Sequence, residues 1–211
     1  MSAVERLAAG NASARLRAAM TVGSEPGMVE ALLERCAVEP DFFVRDMLTW
    51  ALTRQPVELT VSKVLAEVRS DVPQARSQAL HTLSKLGVPD TWSAITPELL
   101  RDPDDEIART AWRAAVVLAP EGERAGLAAV LVTQLGRGDR MVQLSLSRAL
   151  VGLGDLIEPL LPLTSPDPAA RAHARATELL LRDPDAAFAL DVERAKRVDS
   201  LGPQRVAELG A

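Results

Sequence analysis

The stretch "ARSQALHTLSKLG", residues 75–87, sets Arg76 beside a small residue, places Ala79 three, Leu83 seven and Gly87 eleven positions later, and so reads as one amphipathic helix with its own stop. The same template fits Arg45 with Leu48, Leu52 and Pro56, and Arg109 with Trp112, Val116 and Pro120. It fits Arg15 with Ala18, Val22 and Pro26, Gln143 with Leu146, Leu150 and Gly154, and His173 with Ala176, Leu180 and Pro184. These markers follow one another at intervals of 30 to 34 residues. Self-similarity at a nearly fixed period marks a repeat architecture. Every eleventh position is Gly or Pro, residues that end helices by reaching the left-handed conformation or by breaking the hydrogen-bond ladder. An Asp precedes most markers, as in "DFFVR", "DVPQAR", "DDEIAR", "DRMVQ" and "DPAARAH", where its carboxylate is expected to cap the helix start.

Between consecutive copies lies a second apolar-periodic stretch: "GMVEALLERCAV", "VELTVSKVLAEV", "DTWSAITPELL", "ERAGLAAVLVTQL" and "LIEPLLPL". Two helices joined by Asp, Pro and Gly turns make a hairpin that buries its apolar face only by stacking on its neighbours. The expectation is one all-α domain over 1–211 built from about six hairpins, at 3–25, 26–55, 57–87, 91–119, 122–154 and 155–183. A terminal helix over 185–199, polar on one side, is expected to close the stack.

The composition agrees. Of 211 residues 47% are hydrophobic and 25% charged, Tyr is absent, and the apolar content is mostly Ala, Leu and Val, which suits closely packed helices. The net charge of −5 opposes polyanions unless a local basic surface overcomes it. The one cysteine, Cys36, allows no internal disulfide or cysteine zinc cage and falls on an apolar helix face in "EALLERCAV". "MSAVERLAAGNASARLRAAM" lacks the apolar core of a secretory signal, and no run reaches about 18 apolar residues, so the expectation is a cytoplasmic protein without a membrane span.

The Asp turn, the pairs Val44-Arg45, Ala75-Arg76 and Ala108-Arg109, the small or apolar residues behind them and the terminal Leu86-Gly87 and Leu153-Gly154 together resemble the HEAT-repeat family, in particular its short bacterial, PBS-lyase-type members. The likeness covers about 11–184. The units are also similar to the HEAT-like regions of some actinobacterial MerR-type regulators. The resemblance implies a right-handed α-solenoid with one helix of each pair lining a concave surface that holds other macromolecules.

The repeated Arg and the Asp of the turn before it are expected to pair across neighbouring units as a ladder. At 100° per residue, positions five and nine after each marker lie opposite the packed side and should face the concavity. They are Trp50 and Arg54, His81 and Lys85, Arg148, and Glu178 with Arg182; Arg113 of the fourth unit joins the candidate partner-binding set. In that fourth unit Ala114 and Leu118, beside Val117, are expected to form an apolar floor. Trp112 stands at a packed position, and Trp92 is expected to open a helix in "PDTWSAI".

Nothing marks an enzyme. Two His and one Cys provide no three-ligand zinc site, and the His positions suggest no triad. "GRGDR", 136–140, follows a helix and reads as a turn. No catalytic residue, metal ligand, cofactor site or pigment site is expected. The leading expectation is a non-enzymatic scaffold that binds a protein partner. The alternative is a nucleic-acid-binding module, because Asp46 and Trp50 share a helix face in a way that resembles the alkylpurine DNA glycosylases built from similar repeats.

Overall fold

A computed structural model describes residues 2–183, and among them every regular element is helical. The predicted terminal helix over 185–199 and the stop at Pro184 lie outside the described residues. The chain forms two compact units, Met1–Leu118 and Ala119–Ala211, whose border falls between the fourth and fifth copies of the repeat.

In the first unit the marker-bearing helices are α2 (Ala12–Val22), α4 (Phe42–Thr53), α6 (Pro73–Leu86) and α8 (Asp105–Leu118), preceded respectively by α1 (Ala3–Leu7), α3 (Val29–Val38), α5 (Val57–Glu67) and the single turn α7 (Pro97–Leu100). Each packs on the helix before it, and the marker helices also pack in sequence, α2 on α4, α4 on α6 and α6 on α8. The second unit holds α9 (Glu121–Val132), α10 (Arg140–Val151) and α11 (Pro168–Arg182), with α10 in contact with both others.

The caps explain most helix starts. Asp41 Oδ1 accepts from the Val44 N–H at 3.1 Å, Asp139 Oδ1 from those of Met141 and Val142, and Asp167 Oδ1 from that of Ala169, while Asp104 Oδ1 receives Glu106 and Ile107. Asp71 is the exception. The α6 N-cap is Val72, without a side-chain cap, because Pro73 starts the helix with its fixed φ and no N–H to satisfy. At the other end Gly87 takes φ +62° in open space, so Gly87→Ala is expected to cost about 1 kcal/mol in urea unfolding through backbone strain alone. An unchanged midpoint would show that the turn relaxes.

Two predicted first helices are not α-helices. "DTWSAITPELL" becomes a 3₁₀ segment, Pro89–Ala94, and the single turn α7, because Pro97 interrupts the ladder; Trp92 therefore sits half-buried in a 3₁₀ turn. "LIEPLLPL" becomes the 3₁₀ segment Gly154–Leu160, which contains Pro159.

The core is leucine and alanine. In the first unit Leu32, Leu48, Leu52, Leu80, Leu83, Ile107 and Trp112 are fully buried, and the Trp112 indole N–H donates to the Leu100 carbonyl at 2.8 Å. Buried Ala75 and Ala79 on α6 and Ala108, Ala111 and Ala115 on α8 suit close approach of these two helices. Cys36 is part of this core, and burial pushes its thiol up to about 12.

Four of the marker side chains share a task that differs from the expected Asp–Arg ladder. Arg45 Nη1 donates to the carbonyls of Glu39 and Pro40 at 3.0 and 2.8 Å, and Arg15 Nη1 to those of Ala9 and Gly10 at 3.3 and 3.1 Å. Gln143 Nε2 donates to the Gly138 carbonyl and Arg171 Nη1 to that of Ser165. In these four the long side chain reaches back five or six residues and satisfies carbonyls of its own turn, while the Asp in that turn, or Asn11 before Arg15, is occupied as a cap. This places the last marker at Arg171, two residues before His173. Acids from the next turn do meet two markers, Glu39 at Arg15 and, at 3.9 Å, Asp102 at Arg76. Neither is a capping Asp.

Glu39 is the tightest of these junctions. Its fully buried carboxylate accepts from Arg15 Nε and Nη2 at 2.7 and 2.8 Å, from Arg35 Nη2 at 2.6 Å and from the Asp41 N–H at 3.0 Å. Burial alone would raise its carboxyl, but the bonds from Arg15, the Asp41 N–H and Arg35 outweigh that and hold it at about 2. Its carbonyl also receives Arg45 and Gln74, so one turn ties α2, α3, α4 and α6 together.

Candidate functional site

Because α4, α6 and α8 lie side by side, residues four apart on each make parallel stripes on one face of the first unit: Asp46, Trp50 and Arg54; His81 and Lys85; Arg113 and Val117. Five of the sequence-selected residues, Trp50, Arg54, His81, Lys85 and Arg113, are therefore brought together. Arg54, Lys85 and Arg113 are exposed, and Trp50 is 41% exposed.

The Arg54 guanidinium lies 5.1 Å from the centre of the Trp50 ring, a cation–π contact that gives the pair one amphipathic surface. Behind the ring is Gly23, just after α2. A Cβ there would approach Trp50 Cζ3 to 3.1 Å, so the glycine makes room for the indole.

His81 connects the stripes. Arg113 Nη1 lies 3.2 Å from His81 Nδ1, and Asp46 Oδ1 lies 3.5 Å from His81 Nε2. Arginine only donates, so Nδ1 is the acceptor and Nε2 carries the proton, directed at Asp46. Burial, together with the charges of Arg113 and Lys85, lowers the His81 pKa below its ordinary value of 6.5 despite the opposing pull of Asp46, which leaves a neutral imidazole at pH 7. Both ring nitrogens are thereby engaged.

Other sequence-selected positions depart from expectation. Ala114 and Leu118 are buried and form no floor. The apolar face of α8 is wide, with Ile107, Ala108, Ala111, Trp112, Ala114, Ala115 and Leu118 all inside, so the exposed stripe shifts by one residue to Arg113 and Val117. In the second unit Arg148 is exposed on α10, whereas Arg182, the last residue of α11, is held by Glu178 at 2.6 Å.

Further exposed groups went unnoticed in the sequence. Met20, 48% exposed on α2, occupies the fifth position after Arg15, so the template itself pointed to it. Phe42 and Phe43 stand exposed in the first turn of α4, packed edge to face at 5.6 Å, with the Arg45 guanidinium 5.9 Å from the Phe42 ring. Their adjacency straight after a capping Asp was the available signal. Near the amino ends of α4, α6 and α8, Arg45, Gln74, Gln78, Asp104 and Glu106 line a polar cavity of about 260 Å³.

Among the described residues no group of His, Cys, Asp and Glu side chains could hold a metal ion, and no helix is long and apolar enough to cross a membrane. No protein-family model matches the sequence, and no curated protein matches it. The described residues form an all-helical, repeat-like fold that exposes Trp50 with Arg54, and Lys85 and Arg113, on neighbouring helices.

Proposed function

We propose that the protein is a non-enzymatic HEAT-like scaffold, its units stretches of right-handed α-solenoid, and that the α4, α6 and α8 face is the concave surface that holds an acidic segment of a protein partner. The observation that carries this reading is the occurrence of three exposed cations on neighbouring helices of a chain whose net charge is −5, Arg54 against the Trp50 ring on α4 and Lys85 and Arg113 beside His81 on α6 and α8. Arg and Trp concentrate binding energy in interfaces, and a local excess of cations selects carboxylates where the mean field repels them. The free thiol of Cys36 suits a reducing compartment such as the cytoplasm.

The test is a variant with Arg54, Lys85 and Arg113 all changed to Ala. All three are exposed, so the melting temperature should stay nearly constant while affinity for a fluorescein-labelled hexaglutamate peptide falls by roughly tenfold or more. Equal affinity in the variant rejects this face. The same cations and the exposed Trp50 also favour single-stranded nucleic acid, on which aromatic rings stack. A titration with an oligothymidylate at low and high salt separates the readings, since phosphate-driven binding weakens steeply as salt rises.

A further inference from the structure

The Asp46, His81 and Arg113 chain bears on how the face would be used. With the imidazole neutral, its Nδ1 lone pair holds the Arg113 guanidinium at 3.2 Å and occupies a cation that the docking reading needs. We propose that His81 gates this face by proton uptake: the neutral ring holds Arg113 back, and the protonated ring releases it to the carboxylates of an acidic peptide. The inference rests on the docking reading above and adds its regulation.

The step is a single proton transfer from solvent. The proton lands on Nδ1, since Nε2 already carries one, and Nδ1–H then faces an N–H of Arg113 with no acceptor between them. Two donors and two like charges at that distance repel, so the guanidinium swings outward. On the other side the imidazolium strengthens its contact with Asp46, which stays in place as the counter-charge. The charged groups that face the ring are Asp46 from α4, Lys85 from α6 itself and Arg113 from α8. The face therefore gains one positive charge and one freed donor fork together.

The rest of the chain makes this readable. Of its two histidines the other, His173, belongs to the second unit, so a pH response that His81→Gln abolishes is assigned to His81.

The experiment measures fluorescein-labelled hexaglutamate by anisotropy at constant ionic strength, at about pH 7.5 and about pH 5.5, with the full chain and with His81→Gln. The expected result is a tightening of about three- to tenfold at the lower pH in the native chain and little change in H81Q. Binding that is equal at both pH values overturns the gate and leaves the docking face standing. Tightening that persists in H81Q places the titrating group elsewhere and also overturns it. Absence of binding at either pH overturns docking and gate together. As a measurement independent of the peptide, the imidazole ¹⁵N signals at the higher pH should show Nδ1 unprotonated and Nε2 protonated. The reverse tautomer would mean that Arg113 is not held.

Discussion

Replacing Glu39 by alanine is expected to lower the unfolding free energy by about 3 to 5 kcal/mol, the range seen when one partner of a buried ion pair is removed and the other charge stays behind. Arg15 and Arg35 both lose their carboxylate, and the Asp41 N–H loses its acceptor within the same turn. Urea unfolding followed by circular dichroism measures this directly. Glu39→Gln, which keeps the shape and one acceptor oxygen, should fall between the native chain and E39A. A loss below about 1 kcal/mol for E39A would mean that solvent screens the junction as it does a surface pair. The pH sign follows from a carboxyl held at about 2 against an ordinary 4.5: its contribution is complete above pH 4.5 and disappears as pH falls towards 2.

Acidification is expected to weaken the second unit earlier, and by about 3 kcal/mol. His173 is 1% exposed and serves as a neutral connector: Nδ1 accepts from the Gly136 N–H at 3.0 Å, and Nε2 lies 3.0 Å from both the Gln143 carbonyl and Ser147 Oγ. Burial lowers its pKa from 6.5 to about 4, against the smaller opposing pull of the Gln143 carbonyl. The unfolded chain takes up a proton below pH 6.5 and the folded chain does not, so the stabilisation is complete above 6.5 and is lost progressively down to about 4. At about 1.4 kcal/mol for each pH unit, that window amounts to about 3 kcal/mol. His81, also lowered, acts in the same direction, so the contribution of His173 is the part of the slope that His173→Gln removes. An unchanged slope in that variant would show that the buried ring titrates normally.

Local chemistry made much of the fold legible. The Asp caps of α4, α8, α10 and α11 and the left-handed Gly87 depend on residues within one turn, so their spacing revealed them. Pro97 and Pro159 lie inside apolar-periodic stretches, and there the missing N–H outweighs the periodicity and leaves 3₁₀ and single-turn segments. The marker arginines were found, but their carbonyl partners were not, because backbone acceptors leave no trace in residue identity. Trp50 and Lys85 are exposed as helix rotation from the markers predicts, whereas the His81 side chain is mostly covered between Asp46 and Arg113. The face was misread at Ala114, where tertiary packing buries a wider arc of α8 than the template allows. The link from Asp46 through His81 to Arg113 joins three separate helices and had no local signature. The Glu178 and Arg182 pair, four apart on one helix, did have one.

Cys36 gives the first unit a chemical clock. A lone thiol sealed in the interior, with its pKa pushed up to about 12, supplies almost no thiolate while the unit is closed. Its labelling rate with a thiol reagent therefore reports how often the first unit opens to expose α3.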